Sequence, residues 1–356
     1  MPVATIDDGL QFFYEDSGAG QGSYLTIVFV HGSAFTAGIF NQMMPFAAEH
    51  NVRLVALNRR DYPETTPYSS EELAALSSTD NVVRERVLRE TGLQFGAFLA
   101  WFIGTHSTPP IKESLNGQHE GGIAFVAWSL GHTSAAPLIA RPDLLPEDQR
   151  SLLDTHLRAY CTLDAPGASF GLPPPTTYHP LTEDEVPVPD RLSRFEQWVS
   201  AYYTHSPEAM STHDVTLLDL SPMAYPTPED NADRAPTLFA MDPEAKAAIS
   251  WPAPLATSEL YLFTMPSEIV FEHTRRAILD ESTAKTLPRC KFVLIWSGRG
   301  SWASVAGAWG VERLRNDYDK QGGTARPFEV IELPWANHFP HWDDPEQTVK
   351  FLASVC

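Results

Sequence analysis

FVAWSLGHTSA, Phe125 to Ala135, sets a serine between an apolar run and a run of small residues. Ile123 to Val126 are apolar in succession, as in a strand buried on both faces. The small residues after Gly131 can open a helix. Ala127 and Gly131 stand two positions before and after Ser129. A strand that turns sharply into a helix has no room for bulk at those two places, and a nucleophile held on such a turn takes the form G-x-S-x-G. Ala127-Trp128-Ser129-Leu130-Gly131 meets the steric need, with alanine for the first glycine. The other reading is an ordinary strand-to-helix connection that contains a serine. The strand before it and the helix after it favour the nucleophile.

Two distant stretches supply what a nucleophilic serine needs. LTIVFV (25–30) runs into His31-Gly32-Ser33-Ala34-Phe35. Acyl transfer needs backbone N–H groups aimed at the developing oxyanion. One is expected from Leu130, after the nucleophile, and the other from Ser33 or Ala34 on this loop. His31 reads as a structural brace of the loop. FEVIEL (328–333) is followed by PWANHFPHWDDPE. A histidine on the loop after the last strand suits a general base at neutral pH. His338 fits that position better than His341, which reads as a surface histidine or one at the start of a helix. Asp343-Asp344-Pro345 fits the opening of the last helix by capping and dipole.

Around these pieces, strand-like and helix-like segments alternate. VRLVALN (52–58), LRAYCTLD (157–164) and KFVLIWSG (291–298) read as further buried strands. Residues 38–50, 81–104, 302–320 and 345–354 read as helices. This predicts an α/β fold with a parallel sheet covered on both faces. Between 165 and 256 the pattern changes to PPPTTYHP, VPVPD, SPMAYPTPED and SWPAPL. Proline removes ladder donors, so this is no sheet core. RLSRFEQWVSAYYTH (191–205) and SELYLFTMPSEIVFEHTRRAIL (258–279) are helix-compatible and too apolar for a linker. The predicted organisation is a core of 1–164 and 281–356, with 165–280 as an inserted, mainly helical, proline-rich cap.

Composition narrows the partners. The chain has 356 residues, 43% hydrophobic and 20% charged, enough for a sizeable core. Its 45 acidic against 25 basic residues give a net charge of −20, which repels nucleic acid and anionic membrane surfaces. Three cysteines, Cys161, Cys290 and Cys356, form no disulfide framework and suit a reducing compartment. No zinc-type spacing of Cys and His is present. MPVATIDDGLQFFYEDSG has no basic segment followed by an apolar run, and no stretch is long enough to span a bilayer. A cytoplasmic protein without membrane insertion is the expectation, acting on a small molecule, with oligomeric state open. GxGxxG and GxxxxGK[ST] are absent, so neither cofactor nor metal is expected.

With these motifs in place the chain resembles the α/β-hydrolase family over nearly all its length. The closer likeness is to fungal members associated with secondary metabolism and toxin pathways. NRRDYPETTPYSSEEL (58–73), AWSLGH (127–132), LRAYCTLDAPGASFGLPPP (157–175) and ANHFPHWDDPE (336–346) carry the resemblance. It departs at Ala127, and at Asp61 and Glu64, where glycine is expected. The resemblance implies an eight-stranded, mostly parallel sheet with a cap after the sixth strand. It implies hydrolysis of an ester, thioester or lactone through an acyl-enzyme. The family's usual acid follows the strand KFVLIWSG, but here Arg299-Gly300-Ser301-Trp302-Ala303-Ser304 holds no carboxylate, and Glu312 lies well inside the next helix. Asp164 closes the strand before it and is similar to the acid of members that carry it there. The alternative for Asp164 is a cap of the Ala-Pro-Gly turn.

The expected triad is therefore Ser129, His338 and Asp164. A trans-acting thioesterase or acyltransferase would use the same residues, and a receptor or cyclising scaffold would share the fold without hydrolysis. Phe195, Trp198, Tyr202, Tyr203, Trp251, Tyr261, Phe263 and Phe271 make the cap aromatic, which favours an apolar substrate. Trp128, Phe35, Trp198 and Tyr202 are the expected pocket residues.

Overall fold

Each fully apolar run becomes a strand. The computed structural model describes residues 2–6, 9–113, 119–176, 179–182, 187–220 and 234–356. Of the proline-rich pieces, SPMAYPTPED (221–230) lies outside the described residues, as do parts of PPPTTYHP and VPVPD. The main sheet contains β1 (Val3–Thr5), β2 (Gln11–Asp16), β3 (Leu25–Val30), β4 (Val52–Leu57), β5 (Ile123–Trp128), β6 (Leu157–Leu163), β7 (Lys291–Ser297) and β8 (Phe328–Leu333). Their order across the sheet is β1-β2-β4-β3-β5-β6-β7-β8. From β4 to β8 all pairs are parallel, while β1 and β2 run antiparallel at one edge. This is the α/β-hydrolase fold. Every residue of β3, β4 and β5 is buried, as a sheet covered on both faces requires. The edge strand β8 keeps Glu329 and Glu332 exposed.

The helices flank this sheet. Asn81–His106 starts at Asp80, whose carboxylate accepts from the Val82 amide at 2.8 Å. It buries Val87, Leu88, Phe95, Leu99 and Phe102. Trp302–Lys320 and Pro345–Val355 form where the sequence predicts them. Residues 38–50 differ from expectation: Ala37–Phe46 is a 3-10 helix. Pro45 has no N–H to give to Asn41, which weakens an α-helix there.

Residues 165–280 hold the helices Val188–Ser200, Pro207–Thr212, Thr237–Ala240, Pro243–Ile249, Ser258–Phe263 and Ser267–Leu279. Among the described residues they contribute no strand to the sheet, only an isolated bridge between Phe35 and Ser250. Ser267–Leu279 lies against Gly131–Ala140, and Arg276 Nε donates to the Ala140 carbonyl at 3.0 Å. Among the described residues no helix is long and apolar enough to cross a membrane.

One buried cation ties the return leg of this segment to the sheet. Arg326 is 0% exposed, and its guanidinium donates to the carbonyls of Ala277, Thr283, Leu287 and Cys290 at 3.2, 3.0, 3.1 and 2.7 Å. Removing it strips these buried acceptors of a charged donor, although the Thr283 and Leu287 carbonyls keep the amides of Leu287 and Cys290; each acceptor left unsatisfied costs about 1–3 kcal/mol. Arg326→Met should lower the unfolding free energy by about 3 kcal/mol or more, read as an earlier urea midpoint at unchanged slope.

Candidate active site

The carboxyl ends of β3, β5, β6, β7 and β8 converge on one edge of the sheet, where open α/β sheets place their ligands. Ser129 follows β5 with φ +55°, a left-handed backbone that costs a serine about 1–2 kcal/mol. Its amide donates to Leu163 O at 3.0 Å, and the helix starts at once. Crowding explains the small neighbours. A Cβ on Gly131 would sit 2.7 Å from His31 O, and one on Gly32 would sit 2.9 Å from the Ser129 Cβ. Ala127 is fully buried, and its methyl fits where the resemblance expects glycine.

Asp164 follows β6, also left-handed at φ +49° and 0% exposed. Its Oδ1 accepts from the Ser297 amide at 2.9 Å, at the end of β7. Its Oδ2 lies 2.6 Å from His338 Nδ1, so the acid reaches across β7 to the loop after β8. A carboxylate only accepts, so Nδ1 carries a proton, and in the neutral imidazole Nε2 then keeps its lone pair. Such an imidazole can take a proton from a hydroxyl as general base. His338 is 4% exposed, and its carbonyl accepts from Trp128 Nε1 at 2.9 Å. Gly300 supplies room here: a Cβ there would meet the Asp164 carboxylate at 3.3 Å.

The loop after β3 lies against the serine. The Ala34 amide, the alternative to Ser33 as the second oxyanion donor, donates to Tyr62 Oη at 3.0 Å. That bond corrects the expectation for Ala34 and leaves Ser33. Among the described residues, the amides of Ser33 and Leu130 meet no backbone or side-chain acceptor. His31 is the structural brace the sequence suggested. Its Nδ1 donates to Gly32 O at 2.8 Å, and its Nε2 accepts from the Arg59 amide at 3.0 Å. Burial pushes its pKa well below the usual value, which keeps it neutral.

The pocket expectations fare unevenly. Phe35 lines a cavity of about 30 Å³ with Ser33, Ala34, Phe195, Leu255 and Phe263. That volume is of the order of one water, far below the several hundred Å³ of a small-molecule site. Trp128 is not in its wall. The indole is 1% exposed, and its ring centroid lies 5.1 Å from that of His338 and 4.6 Å from that of His341. Its buried N–H reaches the His338 carbonyl, so it steadies the loop rather than facing a ligand. Tyr202 is also turned away, because its hydroxyl donates to Asp343 Oδ2 at 2.5 Å and accepts from Arg234 at 3.0 Å. Trp198 packs on Trp302 at 5.8 Å between centroids and does not line the cavity.

Asp344 stands at the N-cap of the last helix, as the sequence suggests, but its carboxylate makes no capping hydrogen bond. Asp343 accepts from Tyr202 and Thr237, and Asp344 pairs with Arg234. His341 is fully buried against Phe40 and Trp128 rather than on the surface. Glu312 pairs with His213 at 2.7 Å rather than with His338. Sequence reasoning missed Arg59, Tyr62 and Glu259, all buried beside the Ser33 loop. Only Arg59 left a signal, as a cation directly after an apolar strand.

No family model matches the chain. A curated relative, the non-heme chloroperoxidase CPO-A1 of Kitasatospora aureofaciens, is 25% identical over 123 residues, 32% of this chain. The match spans 42% of that relative's length. Among solved structures, the chain is similar to Est816, described as an N-acyl homoserine lactone degrading enzyme, at 12% identity and TM-score 0.49 over all of both chains. It is also similar to the haloalkane dehalogenase DbeA from Bradyrhizobium elkani, at 15% identity and TM-score 0.46, over 99% of this chain and 96% of that one. The esterase EaEST from Exiguobacterium antarcticum shares 12% identity at TM-score 0.47, over 99% and 97% of the two chains.

One turn beyond Ser129, His132 is 0% exposed, with Nδ1 2.8 Å from Tyr160 Oη, and burial lowers its pKa to about 3. The unfolded chain protonates this histidine near pH 6.5, whereas the folded chain holds out to about 3. Between those values the unfolded state binds the extra proton, so stability falls as pH drops, by about 1.4 kcal/mol per pH unit for this group. Urea unfolding at a series of pH values from 7 to 4 should show a shallower decline in His132→Gln than in the wild type.

Proposed function

We propose that the chain is a serine hydrolase that cleaves an ester, thioester or lactone of a mostly apolar small molecule through an acyl-enzyme. The observation that supports this best is the 2.6 Å contact between Asp164 and His338 at the sheet edge that also carries Ser129 on its left-handed turn. In this reading Ser129 Oγ attacks the carbonyl carbon while His338 Nε2 takes its proton. Asp164 holds the imidazole with its proton on Nδ1 and stabilises the imidazolium. The amides of Leu130 and Ser33 receive the oxyanion. The imidazolium then protonates the leaving alcohol or thiol. Water, deprotonated by His338, attacks the acyl carbon and frees the acid and Ser129.

Residues 165–280 act as the cap over this edge, with Ser267–Leu279 as the leg that anchors them on Gly131–Ala140. Phe35, Phe195, Leu255 and Phe263 supply an apolar lining, which suits an acyl chain or aromatic group. A product of fungal secondary metabolism, the context that the sequence resemblance implies, is the substrate class we favour.

A fluorophosphonate should label the wild type at Ser129. Ser129→Ala should melt like the wild type, resist labelling, and lose most of a rate enhancement on the order of 10⁶-fold on a panel of p-nitrophenyl esters, acyl-CoAs and lactones. An unlabelled wild type, or turnover retained in Ser129→Ala, contradicts the reading. Asp164→Asn should fold and lose on the order of 10⁴-fold in kcat, because the imidazole would adopt the wrong tautomer.

A further inference from the structure

The loop that carries Ser33 is held by charged groups that the triad does not use. Glu259, on the helix Ser258–Phe263, is 1% exposed, and Arg59, just after β4, is 4% exposed. Glu259 Oε2 accepts from Ser33 Oγ at 2.8 Å. Its Oε1 accepts from Tyr62 Oη at 2.9 Å and from Arg59 Nη2. Arg59 Nη2 also donates to Gly32 O at 2.9 Å. Tyr62 Oη, in turn, is the acceptor for the Ala34 amide. Ser33 is thus bound to Glu259 itself, and Gly32 and Ala34 each to a group that Glu259 holds directly.

This bracing bears on geometry more than on stability. A buried ion pair is often no more stabilising than an apolar pair of the same volume. Ala34, however, is left-handed at φ +66°, which costs a non-glycine residue about 1–2 kcal/mol and needs surroundings that enforce it. A Cβ on Gly32 would sit 2.9 Å from the Ser129 Cβ, so the loop runs close beside the nucleophile and a shift of it changes where the Ser33 amide stands relative to Ser129. The helix of Glu259 is also part of the cavity wall, through Phe263.

We infer that Glu259 is a positioning residue: docking of the helix Ser258–Phe263 through Glu259 sets the oxyanion loop His31–Phe35. The inference rests on the serine-hydrolase reading. A cap that lifts this helix to admit substrate takes Glu259 from Ser33, Tyr62 and Arg59, and the loop regains its donor geometry when the helix returns. Oxyanion stabilisation is then available only in the closed form.

The test uses Glu259→Gln, Glu259→Asp and the charge-neutral pair Arg59→Met/Glu259→Gln in the full chain, with p-nitrophenyl acetate and a fluorophosphonate as probes. Glu259→Gln should lose on the order of 10²-fold in kcat, as for a misplaced oxyanion donor, with a similar loss in labelling rate. Its KM should change by no more than about threefold. Glu259→Asp should recover part of kcat. The neutral pair leaves no lone buried charge, so it should fold and melt like the wild type yet remain slow, and it carries the test where Glu259→Gln does not fold. A neutral pair with wild-type kcat, or a rate loss that only follows the folded fraction, overturns the inference. A wild type that the fluorophosphonate does not label overturns the underlying reading instead.

Discussion

The carboxylate of Asp164 spans the end of β7, held by the Ser297 amide on one oxygen and by His338 on the other. That bridge makes three adjacent strands interdependent. The parallel register sets Leu163 beside Ile295 and Ser297 beside Leu333, so Asp164 and the loop after β8 flank the last residue of β7. A slip of one residue in either pairing would turn the carboxylate toward the other face of the sheet. The sheet is the device that brings residues 164 and 338 together, and its core exists to hold that register.

What could be read from the sequence follows how local each cause is. β3, β4, β5, β6 and β7 announce themselves because strands covered on both faces are mostly apolar. β1 and β2 leave no such signal, because QFFYED at an antiparallel edge mixes apolar and charged residues without a long run. Ser129 was legible through Gly131, whose missing Cβ answers a clash visible in the motif. Asp61 and Glu64 stood out as residues in places where glycine is expected, and both are left-handed, at φ +69° and +60°. The local pattern reported the backbone demand even though the residues did not match it.

Side-chain direction was not legible in the same way. Trp128, Trp198 and Tyr202 are aromatic and close to the site in sequence or segment, but aromatic character does not say which way a ring turns. Tyr202 is decided by Asp343, distant in sequence, and Trp128 by the carbonyl of His338. Glu259 bonds to Arg59 across 200 residues, with nothing in SELYLF to mark it. In each case the deciding partner is brought up by tertiary folding alone.

The narrow cavity beside Ser33 has a kinetic meaning. At about 30 Å³ it admits nothing larger than water. Any larger molecule that settles here, beside Ser33 and Ala34, must first find Leu255 and Phe263 displaced. Capture at that spot would then be paced by how often those side chains part rather than by diffusion, with segment motions on the microsecond-to-millisecond scale as the clock. Ligands of quite different shape would share one ceiling on association rate, and their selectivity would have to arise after the gate, in how long each stays and how fast it reacts.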